Sequence, residues 1–165
     1  MPNTYSQLYI QIVFAVKGRQ AFIKEEFREE LQKYIAGIIA EKKQKLYAIY
    51  CMPDHTHILV SIKPDIAMSD LVRDIKANSS SFVKDKGFVK DFSWQSGFGA
   101  FSYSKSQSLN VVDYILNQSQ HHKRKTFKDE YTEFLQKFEI EYDERYLFEF
   151  YDDVWINISP RWGFG

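Results

Sequence analysis

The chain has 165 residues, of which 44% are hydrophobic and 17% aromatic, so it can bury a core and is too apolar to be a disordered segment. A single cysteine, Cys51, excludes an internal disulfide, and no apolar run approaches the ~20 residues that a membrane-spanning helix needs. These features predict a cytoplasmic protein.

The net charge of zero combines a basic part and an acidic part of the chain. Residues 1–128 contain 19 Lys and Arg against 12 Asp and Glu, whereas residues 129–165 contain 3 against 10. A basic body meets the electrostatic requirement for binding a phosphate backbone. A solvated acidic tail would explain the same asymmetry without any partner.

The predicted elements follow the chain in the order strand, helix, strand, strand, helix, strand. Strands are predicted over Tyr5–Val16, Leu46–Met52, His57–Ile62 and Phe92–Tyr103, and helices over about 24–42, 68–85 and 107–125. Apolar residues from Lys128 onward predict one more short helix. This order is typical of an α+β, ferredoxin-like (split βαβ, RRM-like) antiparallel sheet with helices on one face.

Two histidines, His55 and His57, stand one residue apart beside a strand with an apolar sequence. Alternate residues of a strand project from the same face, so both imidazoles can converge on one ion. A structural pair of histidines would show the same spacing. Imidazole nitrogen favours manganese, zinc or a similar ion over magnesium, which prefers oxygen.

The predicted helix 107–125 divides into two faces at ~100° per residue. The face expected to pack on the sheet consists of Leu109, Val112, Ile115 and Leu116. The opposite face carries Tyr114, Gln118 and His121, so the phenol is expected to face a groove, solvent or a second subunit. Gln118 could add an amide oxygen to the coordination of an ion, although an ordinary surface glutamine would look the same.

A phenol with a pKa near ~10 attacks poorly unless its developing charge is stabilised. A divalent ion that polarises a phosphate meets part of that need, and a phosphotyrosine product would conserve the energy of the cleaved bond. Rejoining would then need no nucleotide, which agrees with the lack of a GxxxxGK[ST] loop in the sequence. A hydrolytic nuclease would not need Tyr114.

A basic run follows the tyrosine and could hold DNA phosphates. Its candidates are Lys123, Arg124, Lys125 and Lys128. Cations also stabilise a helix C-terminus, which would account for the run without DNA. The aromatic residues that could stack on unpaired bases are Trp94, Phe98, Phe101 and Tyr103, although strand alternation places several of them in the core.

Four segments resemble the small single-tyrosine insertion-sequence transposases, the IS-two-hundred-like members of the HUH (His-hydrophobic-His) endonuclease superfamily. They are Met52-Pro53-Asp54-His55-Thr56-His57, Leu71-Val72-Arg73-Asp74-Ile75-Lys76, the stretch Phe92 to Ser102, and Tyr114-Ile115-Leu116-Asn117-Gln118. The similarity covers most of residues 4–150, with the family's order and spacing.

The resemblance implies a homodimer with active sites shared between subunits, which acts on single-stranded DNA with hairpins at the element ends. It implies His55, His57 and Gln118 as ligands of magnesium or manganese, and Tyr114 as the nucleophile that becomes linked to a 5′ phosphate. Residues 1–128 would be the catalytic domain that includes the tyrosine helix, and residues 129–165 an acidic, aromatic extension of the same domain.

Thr56 departs from the family pattern, which has a bulky apolar residue between the two histidines. The related REP-associated transposases carry asparagine and proline after the tyrosine motif, whereas Gln118-Ser119 here favours the mobile-element branch. The alternatives are a replication initiator or relaxase of the same chemistry, a noncatalytic RRM-like nucleic-acid-binding module, and a small metallohydrolase.

Overall fold

The computed structural model describes residues 3–151, and within them an antiparallel sheet of four strands forms the centre of the fold. The strands are β1 (Tyr9–Ala15), β2 (Lys45–Cys51), β3 (His55–Ser61) and β4 (Gly99–Tyr103). Their spatial order is β2-β3-β1-β4, so β3 and β1 are the inner strands. This order and the alternation with helices confirm the ferredoxin-like prediction.

Five helices accompany the sheet in the described part of the chain. They are α1 (Glu25–Glu41), α2 (Met68–Asp85), α3 (Lys105–Leu116), α4 (Gln118–His121) and α5 (Phe127–Lys137). Short 3-10 turns lie at Arg19–Ala21 and Glu144–Tyr146. None of the helices in residues 3–151 has both the length and the apolar character needed to cross a membrane.

The two faces of the sheet are covered by different helices, because successive strand residues point to opposite sides. Ile12, Phe14 and Ile58 pack in the main core, to which α1 and α2 contribute their apolar faces. In a second, smaller cluster, Leu59 packs against Val111 and Ile115 of α3. Helix α3 therefore packs on the sheet, on the face opposite to α1 and α2.

Strand β3 begins two residues earlier than predicted, at His55, and the histidine pair therefore lies inside the strand. A tight reversal accounts for this start, since the backbone N–H of Met52 donates to the carbonyl of His55 at 2.8 Å. Strand β4 begins only at Gly99, and Trp94 makes a single isolated bridge to Val16.

Some aromatic residues near β4 were candidates for base stacking, but two of them belong to the core. Trp94 and Phe101 are buried, and the Trp94 ring packs edge-on against Phe14 at 4.7 Å between centroids. Neither ring is available to DNA. Tyr103, at the end of β4, is only partly buried.

The predicted helix 107–125 is two helices, because the chain breaks at Asn117 with φ −105° and ψ 24°. The Asn117 side chain donates to the carbonyl of Asp113 at 2.8 Å, the kind of local bond that competes with a continuing helix. Helix α3 begins at Lys105 because Ser104 and Gln107 form a capping box.

The prediction of which face of α3 packs on the sheet was largely wrong. Leu109 and Leu116 are 76% and 51% exposed, while Val111 and Ile115 are buried. The inward stripe is Val111, Ile115 and Gln118, at spacing i, i+4, i+7, and it includes a polar residue that hydrophobicity alone assigns to the outside. Tyr114 borders this stripe and is partly buried with it.

The start of β4 is packed so closely against α5 that only glycine fits at position 99. A Cβ on Gly99 would lie 2.7 Å from the Tyr131 hydroxyl oxygen and 3.0 Å from Phe101 Cε2. We expect Gly99→Ala to lower the free energy of unfolding by about 1–3 kcal/mol, as overpacked cores do. Urea denaturation measures the change.

Gly37→Ala is the matched control for that substitution. Gly37 lies in the middle of α1, where a Cβ would meet nothing within 4 Å. Alanine there should raise the free energy of unfolding by up to about 1 kcal/mol through helix propensity. If Gly99→Ala proved as stable as the wild type, the close contact between β4 and α5 would be refuted.

Candidate active site

The two histidines of β3 lie side by side on the face of the sheet that α3 covers. His55 and His57 are both completely buried, and their ring centroids are 5.1 Å apart. Because β3 is an inner strand, paired with β2 on one side and β1 on the other, the backbone beneath both rings is held by two ladders. The period-two spacing thus gives the common direction that the sequence predicted.

Thr56, between them, points to the opposite face and is also completely buried. Its hydroxyl donates to the sulfur of Cys51, its cross-strand neighbour on β2, at 3.4 Å. The departure from a bulky apolar residue is therefore accommodated by a polar partner, and it leaves the two imidazoles undisturbed.

Two further side chains join the pair from outside the sheet. His122 follows α4, and Glu130 lies in α5. One ligand atom from each of the four residues lies within 4.8 Å of the others, and Glu130 is 2% exposed. Carboxylate oxygen Oε1 of Glu130 is the centre of the group, at 3.0 Å from His57 Nε2, 3.2 Å from His122 Nε2 and 3.6 Å from His55 Nε2.

Each of the three imidazoles has an oxygen acceptor at Nδ1, on the side away from Glu130. The acceptors are Asp54 Oδ1 for His55 at 2.7 Å, Gln11 Oε1 for His57 at 2.8 Å, and the Lys125 carbonyl for His122 at 2.8 Å. An acceptor at Nδ1 fixes the N–H there and leaves the Nε2 lone pair for another partner. Metal-binding histidines are oriented in the same way.

Three Nε2 lone pairs and a carboxylate oxygen facing one another require a positive charge between them. In the described chain, Nε2 of His55 is a buried atom without a hydrogen-bond partner. Burial pushes the pKa of His55 down, but the carboxylates of Asp54 and Glu130 outweigh it and raise the pKa to about 9. Without an ion, a proton on His55 supplies the missing charge.

The carboxyl of Glu130 stays ionised in this setting. Burial raises its pKa, but the interactions with His57 and then with the other imidazoles outweigh burial and hold the pKa well below its usual value. Burial dominates for His57, whose pKa is lowered. The donor set of three nitrogens and one oxygen therefore has the composition and the charge to hold a divalent ion.

Tyr114 is hydrogen-bonded to the same carboxylate. Its hydroxyl donates to Oε2 of Glu130, and its ring centroid lies 6.1 Å from that of His57. Burial, and then the Glu130 charge, raise the pKa of the phenol above its ordinary value. The tyrosine thus lies next to the histidines of its own chain.

Gln118 is completely buried beside the group rather than at its centre. Its side-chain oxygen lies 3.1 Å from His122 Nε2, and its side-chain nitrogen donates to the Tyr114 carbonyl at 3.4 Å. It is therefore no surface glutamine. His121, also predicted on this face, stacks on the Tyr114 ring at 4.4 Å between centroids.

A cavity of about 390 Å³ opens beside Tyr114, and three of the four predicted phosphate-binding cations line it. These are Lys123, Arg124 and Lys125, the last of which also forms an ion pair with Glu133. Lys128 is exposed and is not among the residues that line this cavity. The basic run therefore borders the tyrosine.

Sequence reasoning missed His122 and Glu130, each of which stands in a run of charged residues. His122 is part of the basic run, and Glu130 was counted with the acidic end of the chain. The sequence does contain a signal for Glu130, because this residue lies on the apolar face of α5 together with Phe127, Tyr131 and Leu135, all of which are buried. An acidic residue on the buried face of a helix needs a partner, and that need points to a site.

Comparison with known proteins identifies the family of the chain. The family model described as Transposase IS200 like matches residues 4–118. The ISDra2 transposase TnpA of Deinococcus radiodurans is 27% identical over an alignment of 124 residues, and the alignment covers 71% of this chain and 86% of that protein. The match to the family model ends before His122 and Glu130.

Two solved structures share the fold. One, described as a transposase from Deinococcus radiodurans R1, has a TM-score of 0.56 at 20% identity and covers 70% of this chain and 94% of its own. The other is a REP-associated tyrosine transposase bound to a REP hairpin, with a TM-score of 0.55 at 18% identity, covering 73% and 72%. Because the family model spans more than half of the sequence, this chain belongs to the family of IS200-like transposases.

Proposed function

We propose that this chain cleaves and rejoins single-stranded DNA at insertion-sequence ends by transesterification, with Tyr114 as the nucleophile. Membership of the transposase family supports DNA cleavage and strand transfer. The observation that carries the mechanism is one carboxylate, Glu130, that contacts the Tyr114 hydroxyl through one oxygen and imidazole nitrogens through the other. The nucleophile and the donor set are therefore a single unit.

In the proposed cleavage step the Tyr114 oxygen forms a bond to phosphorus, and the bond from phosphorus to the 3′ oxygen breaks. The phenolic proton passes to Glu130 Oε2, to which the hydroxyl donates, and the 3′ oxygen takes up one proton and leaves as a hydroxyl, so no proton is gained or lost overall. The product is a 5′-phosphotyrosine, and attack on it by a 3′ hydroxyl reverses the step. The number of phosphodiester bonds is conserved, so no nucleotide is consumed.

The residues that would hold a divalent ion are His55, His57, His122 and Glu130, with Gln118 adjacent to His122. The unpartnered His55 Nε2 and the fixed Nδ1 hydrogens of the rings fit such an ion. When bound, it would polarise the scissile phosphate and offset the charge that forms there. Of the two ions implied by the resemblance, we propose manganese, because three nitrogen donors suit it better than magnesium.

The proposed DNA substrate carries hairpins, as implied by the resemblance and supported by the hairpin bound to the REP-associated relative. Phosphates next to the cut would lie in the basic cavity with Lys123, Arg124 and Lys125. We further propose that residues 129–151 work as part of the catalytic unit, since Glu130 reaches the histidines. The cytoplasmic location stays a prediction from composition.

The homodimer stays a prediction, whereas for its active sites we propose an arrangement other than the shared one that the resemblance implies. In the structure the Tyr114 hydroxyl donates to Glu130 of its own chain, and Glu130 contacts the histidines of that chain. If the active sites were shared, the Tyr114 hydroxyl would make the same contact with a partner subunit instead of with its own chain. We therefore propose that Tyr114 can serve the histidines of its own chain without a partner.

The first prediction from the proposed function concerns a covalent adduct. Single-stranded oligonucleotides copied from the DNA on either side of this gene, with Mn²⁺, should yield a protein–DNA adduct on a denaturing gel. Tyr114→Phe should abolish the adduct and leave binding intact, because only the attacking oxygen is removed. Tyr34→Phe, on the exposed side of α1, is the matched control and should form the adduct normally. An adduct that persists in Tyr114→Phe would refute the assignment, and a noncatalytic binding module predicts no adduct at all.

The second prediction concerns the ion. Mn²⁺ at ~100 times its Kd should raise the free energy of unfolding of the wild type by about 2.7 kcal/mol. His55→Ala and Glu130→Gln should each lose most of this gain, as measured by thermal unfolding with Mn²⁺ and with chelator. His121→Ala is the matched control, because this histidine stacks on Tyr114 outside the donor set and should keep the gain. An undiminished gain in His55→Ala would exclude the proposed site.

The third prediction separates the two arrangements of the tyrosine. His55→Ala and Tyr114→Phe proteins, each inactive alone, are mixed and assayed for cleavage. We expect no recovery, because Tyr114 is hydrogen-bonded to the carboxylate of its own chain. Recovery to roughly a quarter of the wild-type rate would establish shared sites, since half of randomly paired dimers would hold one working site of two.

A further inference from the structure

A second cavity borders Tyr114 and differs in chemistry from the basic one. It has a volume of about 270 Å³ and lies between β1, β4, α3 and α5. Amide and aromatic side chains dominate its lining, namely Gln11, Tyr103, Gln107, Asn110 and Phe134. Lys137 is the one cationic residue among those that line it in the described chain, so the cavity is not built for a row of phosphates.

A chain of hydrogen bonds runs from the histidine pair to this cavity. His57 Nδ1 donates to Gln11 Oε1 at 2.8 Å, and Gln11 Nε2 donates to the Tyr103 hydroxyl oxygen at 2.9 Å. The Tyr103 oxygen is the acceptor in that bond, so its own hydrogen is left for a ligand, and residues 3–151 show no acceptor for it. Burial raises the pKa of Tyr103 to about 12, so the hydroxyl stays a neutral donor.

Asn110 adds a second recognition group. It lies in α3 four residues before Tyr114, and residues four apart share a helix face. Asn110 is exposed, and its amide offers one acceptor and two donors, with no hydrogen bond to another described residue. Gln107, one turn earlier, is already engaged in the capping box of α3. Asn110 is therefore the amide that a ligand can use.

We propose that this cavity binds one nucleobase next to the scissile phosphate, with a preference for adenine. The proposal rests on the proposed function. Tyr103 and Phe134 supply aromatic surfaces for stacking a base. An asparagine amide matches the donor and acceptor edge of adenine. The volume lies below the ~300–1,000 Å³ typical of pockets for drug-sized ligands, which suits a single base.

The position of the cavity gives the proposed base contact a role in selecting the cleavage site. The two cavities have Tyr114 in common, so a base held in one and phosphates held in the other would set the strand across the hydroxyl. Part of the sequence preference at the cut would then come from protein side chains, through Asn110 and Tyr103.

The experiment starts from the adduct reaction of the wild-type protein. Once the cut is mapped, the two nucleotides that flank it are randomised, and both the protein-linked strands and the released fragments are sequenced. We expect adenine to be enriched at one of the two positions. Asn110→Ala should flatten this preference, whereas the matched control Asn78→Ala, exposed on α2 across the sheet, should retain it.

Direct binding gives a readout that does not depend on cleavage. In the Tyr114→Phe background, an abasic nucleotide at the preferred position should weaken binding about tenfold by fluorescence anisotropy. Asn110→Ala should remove most of that difference. Adducts without base preference, or equal abasic effects in both proteins, would overturn the pocket and leave the proposed function standing. No adduct at all would overturn both.

Discussion

The ionised carboxylate of Glu130, buried against three imidazole nitrogens, is the interaction on which the site depends. A carboxylate removed from water costs several kcal/mol unless a positive charge and hydrogen bonds compensate for it. Here the compensation comes from the proton on His55, or from an ion in its place, and from the Tyr114 hydroxyl, while Nε2 of His57 and of His122 lie at 3.0 and 3.2 Å. One side chain therefore links β3, the end of α4, α5 and the tyrosine of α3.

The rest of the fold keeps this arrangement rigid. The histidines project from an inner strand with partners on both sides, so two ladders fix the backbone beneath both rings. Asp54, Gln11 and the Lys125 carbonyl hold the far nitrogens of the rings. On the opposite sheet face, α1 and α2 bury the main core. Preorganisation of this kind lowers the cost of binding an ion.

The sequence predicted the strand and helix order and the common direction of His55 and His57, because both follow from short-range periodicity. It did not predict the packing of α3. Hydrophobicity placed Leu109 and Leu116 inside, but Gln118 is buried there because His122 and the Tyr114 carbonyl give it partners. His122 and Glu130 were hidden for a related reason: their role depends on tertiary contacts, and their neighbours in sequence are charged residues facing solvent.

The late position of Glu130 in the sequence has a consequence for the synthesis of the protein and for truncated copies of its gene. The segment that matches the family model ends at residue 118, twelve positions before this carboxylate. A ribosome that has made only the matched segment has made the phenol and both strand histidines, but it has not yet made the group that joins them. A gene copy truncated after residue 118 would likewise encode the nucleophile without its anchor.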